Sequence, residues 1–302
     1  LCEYTISPSK INKINGVLNY IYLLTTLFCK RNHYEKIHFI WSVFLLIELP
    51  FFLVLKRKII FTYHNDVPHS YPQKRYFPYL LIMKIAKKIV FVSNYTQRNF
   101  INNYGEHKYN FLLQHGVMPI GGVQASAVNK VTAVEKKIIF WGRVEEYKGV
   151  DLFDNYKLTV PIEIHGKWSK TLVPLKTLLS KKNSIYVIDR YLSTKELTDL
   201  ISRNVVFILP YKDATQSGVL YTLLAYGKVF ISSDVGENNE FLIKHGLKKL
   251  IFDRDNEESV LNAVRYAIEN YMDIQGKMLA IRNEYSWEAI LTNRVVSELY
   301  DE

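Results

Sequence analysis

From residue 137 to residue 274 the chain alternates between short apolar runs and amphipathic stretches. The runs at 137–141, 160–164, 185–188, 205–209, 228–232 and 249–252 predict strands. The stretch opening at 149, and those over 170–180, 193–202, 217–226, 237–245 and 256–274, predict helices. Strands separated each time by a helix cannot be joined by hairpins. They must run parallel, with helices over both faces of the sheet. Ligands of such sheets sit beyond the carboxyl ends of the strands. That rule gathers residues 142–143, 165–167, 189–192, 210–218 and 233–237 onto one rim.

The most informative part of that rim follows the first run. Residues 138–150 read IIFWGRVEEYKGV. The apolar run stops at Gly142, Arg143 and Lys148 follow around a short acidic loop, and Gly149 opens the next segment. A glycine turn feeding a helix brings free backbone N–H groups and two cations to one point, which suits a diphosphate. An ordinary βα turn with solvated charges fits these residues equally well. A second stretch, FILPYKDATQSGVLYTLLAYGKVFISSD at 207–234, reads as strand, small-residue loop, helix and strand. Thr215, Gln216, Ser217 and Gly218 open its helix, where backbone amides favour a phosphate and Ser217 serves at least as an N-cap.

The first 120 residues follow the same grammar. Strand 37–41, helix 42–55, strand 58–63, helix 79–88, strand 89–92, a helix from Asn94 capped by Ser93, and strand 110–113 are predicted. The apolar run over 37–55 is 19 residues long, near the length that spans a bilayer. Glu48 and Pro50 inside it, and the strands around it, favour a strand and a buried helix. His64 ends the strand 58–63, and Asp66 and His69 lie in the proline-containing loop that follows. Residues 121–135, without periodicity, form a linker. The domains read 1–120, 136–285, and a terminal helix over 286–302.

Of the formal charge of +10, all lies in residues 1–120, which carry 15 Lys and Arg against 5 Asp and Glu; the remainder carries 24 of each. Such a domain suits an anionic membrane surface, although a solvated basic face is the plainer reading. No helix-turn-helix, RNA-binding or zinc signature accompanies the charge, so nucleic acid is not expected. Two cysteines, Cys2 and Cys29, give neither a disulfide framework nor a metal site and suit a reducing, cytoplasmic setting. No secretory leader is read in LCEYTISPSK.

Seven short motifs, in order, resemble the large retaining nucleotide-sugar-dependent family of GT-B glycosyltransferases, glycosyl transferases group 1. They are Phe61-Thr62-Tyr63-His64, Ile89-Val90-Phe91-Val92-Ser93, His115-Gly116-Val117, Gly142-Arg143 with Lys148-Gly149, Pro210 with Gly218 and Ala225-Tyr226-Gly227-Lys228, Ser233-Asp234-Val235-Gly236, and Tyr285-Ser286-Trp287-Glu288. The resemblance runs from about residue 37 to the end. It implies two Rossmann-like doubly wound domains with a cleft between them, and a terminal helix crossing back to the first. A typical member begins with a strand and a glycine-rich loop not seen here, so about 50 residues of a first βα unit are expected to be missing.

The resemblance also implies roles. Arg143, Lys148, Gln216, Ser217 and Gly218 would hold the donor diphosphate. Gly142, Tyr191, Leu192, Thr215 and Thr222 would line the base, ribose and sugar. His64 would lie beside the transferred sugar, and Asp66 or His69 would orient the acceptor or act as base if the reaction inverts. The family's two glutamates over the 217–226 helix are replaced by Ala214 and Thr222, which weakens the ribose assignment. The implied activity is metal-independent, cofactor-free transfer of a sugar from a UDP- or GDP-sugar to a glycan or lipid-linked acceptor. The implied setting is cell-surface polysaccharide or lipopolysaccharide synthesis at the inner face of the cytoplasmic membrane. A degenerate GT-B protein that only binds glycan or membrane, and a GT-B sugar-nucleotide epimerase, are the alternatives. A Rossmann oxidoreductase is disfavoured, because no Gly-x-Gly-x-x-Gly follows a strand.

Overall fold

The computed structural model describes residues 13–42, 45–65, 77–121, 133–214 and 217–301. The chain divides into two compact units, one within Leu1–Leu113 and the other Gln114–Asp301.

The first unit holds a four-stranded parallel sheet, β1 (Ile37–Phe39), β2 (Ile59–Tyr63), β3 (Lys88–Phe91) and β4 (Asn110–Leu112), in the order β1-β2-β3-β4. Helices Leu45–Leu55, Phe77–Ile85 and Asn94–Tyr104 make the crossovers. Ser93 caps the last of these, its Oγ accepting from the Thr96 amide at 3.1 Å. β2 is buried along its whole length, which is why it reads as a continuous apolar run and not as an alternating one. Phe52, Phe61, Tyr63, Phe91 and Phe100 form an aromatic core, with ring centroids 4.5–6.1 Å apart. The apolar run over 37–55 resolves into β1 and an 11-residue helix. Among the described residues no helix is long and apolar enough to cross a membrane. Glu48 is fully buried there and accepts hydrogen bonds from Tyr20 and, at 2.6 Å, from Ser42. Tyr20 belongs to a helix, Lys13–Cys29, which the sequence reading did not contain.

The second unit holds six parallel strands, β5 (Ile138–Trp141), β6 (Ile162–His165), β7 (Ile185–Ile188), β8 (Val206–Leu209), β9 (Phe230–Ser233) and β10 (Ile251–Phe252). Their order is β10-β9-β8-β5-β6-β7. The chain therefore builds outward from β5 in one direction and then restarts on its other side with β8. Helix positions follow the sequence reading with two breaks. The predicted helix 256–274 becomes Glu257–Glu269 and Tyr271–Glu284, because Asn270 leaves helical geometry and both its amides donate to the Tyr266 carbonyl. The terminal helix is interrupted at Leu291, and Thr292 caps the piece Asn293–Tyr300. That piece and residues 114–120 fall within the second unit. Tyr285, opening the Tyr-Ser-Trp-Glu motif, is a hub there: its carbonyl accepts from Val117, and its hydroxyl meets Gln114, Lys244 and His245.

Candidate functional site

The reversal of strand order between β5 and β8 opens a crevice at the carboxyl ends of those two strands, where open parallel sheets bind ligands. Both stretches singled out in the sequence end there. The Gly142–Gly149 turn follows β5, and the Pro210–Ser217 loop follows β8. A side chain built on Gly142 would stand 3.5 Å from Val219, in the first turn of the helix Gly218–Ala225. The two motifs thus form one surface.

Lys148 is the centre of that surface. It ends a 3-10 turn, Glu146–Lys148, closed by Gly149 in the left-handed conformation at φ 70°. A Cβ at Gly149 would collide with the Pro210 carbonyl and the Arg254 guanidinium, so both backbone sign and space demand glycine. Arg254 donates to the carbonyls of Gly149, at 3.0 Å, and Pro210, and reaches Asp151 at 3.3 Å. It ties the β5 turn to the β8 loop. Lys148 is only 9% exposed, with Nζ 3.7 Å from the Tyr211 ring centroid. Burial pulls its ammonium down to about 8 from the ordinary 10.5. Arg143 is mostly exposed, and its ion pair with Glu145 is long, at 3.7 Å. One buried and one open cation therefore face the crevice.

The helix N-terminus lies beside them. Ser217 is buried and caps the helix, accepting from the Leu220 amide at 3.3 Å. Behind it sits Glu237, whose Oε1 accepts from the Tyr221 hydroxyl at 2.6 Å. Burial pushes this carboxyl up to about 8, so it is mostly protonated at neutral pH and does not cancel the cations. Thr222, at the position of a family glutamate, is buried with its hydroxyl donating to the Gly218 carbonyl at 2.9 Å. Tyr191 is 68% exposed and Leu192 half-buried, both after β7. His165 is buried against Glu163 at 2.9 Å, and Asp189 is held by Lys167, Lys176 and the Trp168 amide. These last groups are occupied by structural partners. Thr215 and Gln216 lie outside the described residues.

A model of the family described as glycosyl transferases group 1 matches residues 135–270. That match covers somewhat less than half of the chain and contains the whole crevice described above, from Gly142 to Glu237. Solved structures extend the likeness of fold over both units. HepE of Anabaena, in complex with UDP and glucose, is 14% identical over 93% of this chain and 81% of its own, with a TM-score of 0.71. Sucrose-phosphate synthase of Thermosynechococcus elongatus is 15% identical over 95% of this chain and 77% of its own, with a TM-score of 0.66. The lipopolysaccharide outer core galactosyltransferase WaaB, in its apo form, is 13% identical over 97% of this chain and 80% of its own, with a TM-score of 0.64. At these identities the likeness is one of fold, and that fold is the two-domain GT-B arrangement of parallel sheets. Among curated proteins no sequence matches.

In the first unit, His64 stands at the carboxyl end of β2, as the sequence predicts. Its Nε2 is 2.9 Å from the Ile40 carbonyl, and its ring lies 4.6 Å from Trp41. Just behind it His38 pairs with Thr62 at 2.7 Å; burial, and then the neighbouring His64, pull His38 down to about 4. It is neutral at physiological pH. Asp66 and His69 lie outside the described residues. The sequence reading placed Tyr211 and Glu237 on the rim without giving either a role, and missed Arg254 and His38. For Tyr211 a signal existed, an aromatic directly after the strand-ending Pro210, but Arg254 and Asp151 are joined only by the fold.

Proposed function

We propose that the chain is a retaining glycosyltransferase that moves a sugar from a nucleotide diphosphate donor to a glycan or lipid-linked acceptor. The observation that carries this reading is the pairing of Arg143 and Lys148 with the Ser217-capped helix N-terminus at the β5–β8 switch point. HepE, of the same fold, was solved with UDP and with UDP-glucose. The donor diphosphate lies across the crevice, where both cations and the helix amides stabilise the charge that develops on departure. The bond from the sugar's anomeric carbon to the diphosphate oxygen breaks, and one to the acceptor hydroxyl oxygen forms. The acceptor proton passes to the leaving diphosphate. Gly142, Tyr191, Leu192, Thr215 and Thr222 line base, ribose and sugar, with Gln216 and Gly218 at the phosphates. His64 attends the sugar, and Asp66 and His69 the acceptor.

The reading includes metal independence. In it Arg143 and Lys148 serve the leaving group in place of a metal ion. It places the enzyme in cell-surface polysaccharide or lipopolysaccharide synthesis, with the basic first unit on the anionic inner face of the cytoplasmic membrane. Calorimetry with UDP and GDP tests the centre of the reading. Arg143→Ala should weaken the nucleotide that binds by roughly 1.5–3 kcal/mol, the worth of a charge-assisted hydrogen bond; an unchanged affinity removes the proposal. A second reading, binding of the donor without transfer, draws on the loss of acidic residues at Ala214 and Thr222. Donor turnover by the purified chain, with and without chelator, separates the two.

A further inference from the structure

The connections entering the amino ends of β1–β4 carry nine Lys and Arg (within 30–36, 56–58, 87–88 and at 108) and two Glu, Glu35 and Glu106. At the opposite edge of the same sheet, the described residues that follow the strands (40–42, 64–65, 92–94 and 113) include no Lys, Arg, Asp or Glu. Among the described residues the basic excess of the first unit is therefore concentrated on one edge. There an open groove of about 560 Å³ is lined by Lys56, Arg57, Lys87 and Lys108, with no carboxylate in its lining. Lys56, Arg57 and Lys108 are exposed.

The groove is built and not a chance of side-chain placement. His107 accepts from the Tyr109 amide at Nδ1 (3.1 Å), and its Nε2 lies 3.1 Å from the Ala86 carbonyl. This clamps the β3 and β4 entries together. Lys58 donates to the carbonyls of Arg31 and Tyr34, each at 2.7 Å, which fixes the β1 entry against β2. Beside the cations stand exposed apolar groups: Leu53 (58%) and Val54 (56%) at the end of the helix that runs into Lys56, and Tyr109 (47%) next to Lys108.

We propose that this groove is where an anionic bilayer docks, its phosphate-bearing headgroups entering among Lys56, Arg57, Lys87 and Lys108, with Leu53, Val54 and Tyr109 reaching the acyl boundary. Four cations without carboxylate partners among the described residues complement a phosphate-rich surface. The apolar rim selects a bilayer over a soluble anion, which has nothing to offer those side chains. The inference rests on the membrane part of the reading above and not on its donor chemistry. It adds an orientation. His64 lies seven residues beyond Arg57, about 20 Å away at ~3.3 Å per residue. Docking at the amino edge thus holds the His64 edge clear of the headgroups, which favours an acceptor sugar carried out from the bilayer on an existing glycan.

The test is co-sedimentation of the full chain with phosphatidylcholine vesicles, with and without phosphatidylglycerol, at 0.1 M and 1 M salt. The variant Lys56→Ala/Arg57→Ala/Lys87→Ala/Lys108→Ala should lose at least ~100-fold in partitioning to anionic vesicles, each near-surface cation contributing about fivefold. Lys181→Ala/Lys195→Ala/Lys248→Ala/Lys277→Ala removes equal charge from exposed positions of the second unit and should bind as the unaltered chain does. If the groove variant binds normally, the groove is overturned while membrane attachment through other residues stands. If the unaltered chain ignores anionic vesicles, both fall. Groove-dependent binding of inorganic pyrophosphate, or of an oligonucleotide, in preference to vesicles overturns the bilayer. Quenching of Trp41, 60% exposed beside His64, by bilayer-embedded doxyl lipid, judged against Trp41→Phe, would put the wrong edge on the membrane and overturn the orientation.

Discussion

Lys148 and Lys228 make a matched pair that can separate function from folding. Both ammonium groups are pulled from 10.5 to about 8 by burial, and both are inside the second unit. Lys228 is fully buried at the entry of β9, with Nζ 3.3 Å from the Arg203 carbonyl, at the opposite end of the strands from the proposed donor site. At about 1.4 kcal/mol per pH unit, each buried charge costs about 3 kcal/mol of stability at pH 7. For Lys148, the 3.7 Å contact with the Tyr211 ring returns about 1–2 kcal/mol. Lys148→Met should therefore raise stability by about 1–3 kcal/mol, a gain of several degrees in Tm for a unit of this size. It should also weaken UDP or GDP by about tenfold or more. Lys228→Met should stabilise comparably and leave nucleotide affinity unchanged.

The sign of the pH dependence follows from the depressed folded values. Between pH 8 and 10.5 the unfolded chain holds more protons than the folded one, so stability rises with pH across that window and the penalty is constant below it. Each Met variant should lose part of that rise. Urea unfolding at pH 7, 9 and 10.5, with nucleotide calorimetry, measures all of this. The reasoning is refuted if Lys148→Met leaves both stability and nucleotide affinity where they were, or if Lys228→Met weakens the nucleotide as strongly.

Glu237 titrates in the opposite sense. Its folded value of about 8 against 4.5 unfolded gives a contribution present below pH 4.5 and lost as pH rises through 8, at most about 4–5 kcal/mol; Glu237→Gln should flatten the unfolding free energy between pH 5 and 8. Gly149→Ala should cost at least about 1–2 kcal/mol in a urea melt from the left-handed φ, with the collision against Pro210 and Arg254 added to it, and should weaken nucleotide binding by displacing Lys148; a neutral effect would mean that the turn relaxes freely. His64→Ala should lower turnover by about 100-fold or more with donor affinity unchanged, and full turnover would leave His64 as a support for the Ile40 carbonyl.

What the sequence could and could not reveal follows the range of the interactions. The alternation of runs was readable because each crossover is local, and the glycines at 142 and 149 were readable because positive φ leaves few other residues. The strand order was not readable. β5 and β8 are equally apolar, and nothing in either says that the chain restarts beside β5. Helix Lys13–Cys29 packs through Tyr20 and Leu24 with Leu23 and Leu27 beside them, and it was missed because apolar Leu18, Ile21 and Tyr22 on its exposed side blur that spacing in the sequence. The predicted helix from 149 shrank to Leu152–Asn155 because Gly149 adopts the left-handed conformation. Charged residues are read as solvated by default, and that default failed at Glu48, Lys148, Lys228 and Glu237, all buried. Glu48 is satisfied by hydroxyls from two other segments, and Glu237 accepts from Tyr221. A lysine or glutamate carried into the interior costs stability, so a fold that keeps one without an ion pair needs another reason to keep it. On the proposed reading the crevice supplies that reason for Lys148. A cation already stripped of water and stacked on an aromatic ring meets a diphosphate with little reorganisation, whereas the exposed Arg143 must shed its water on each binding event.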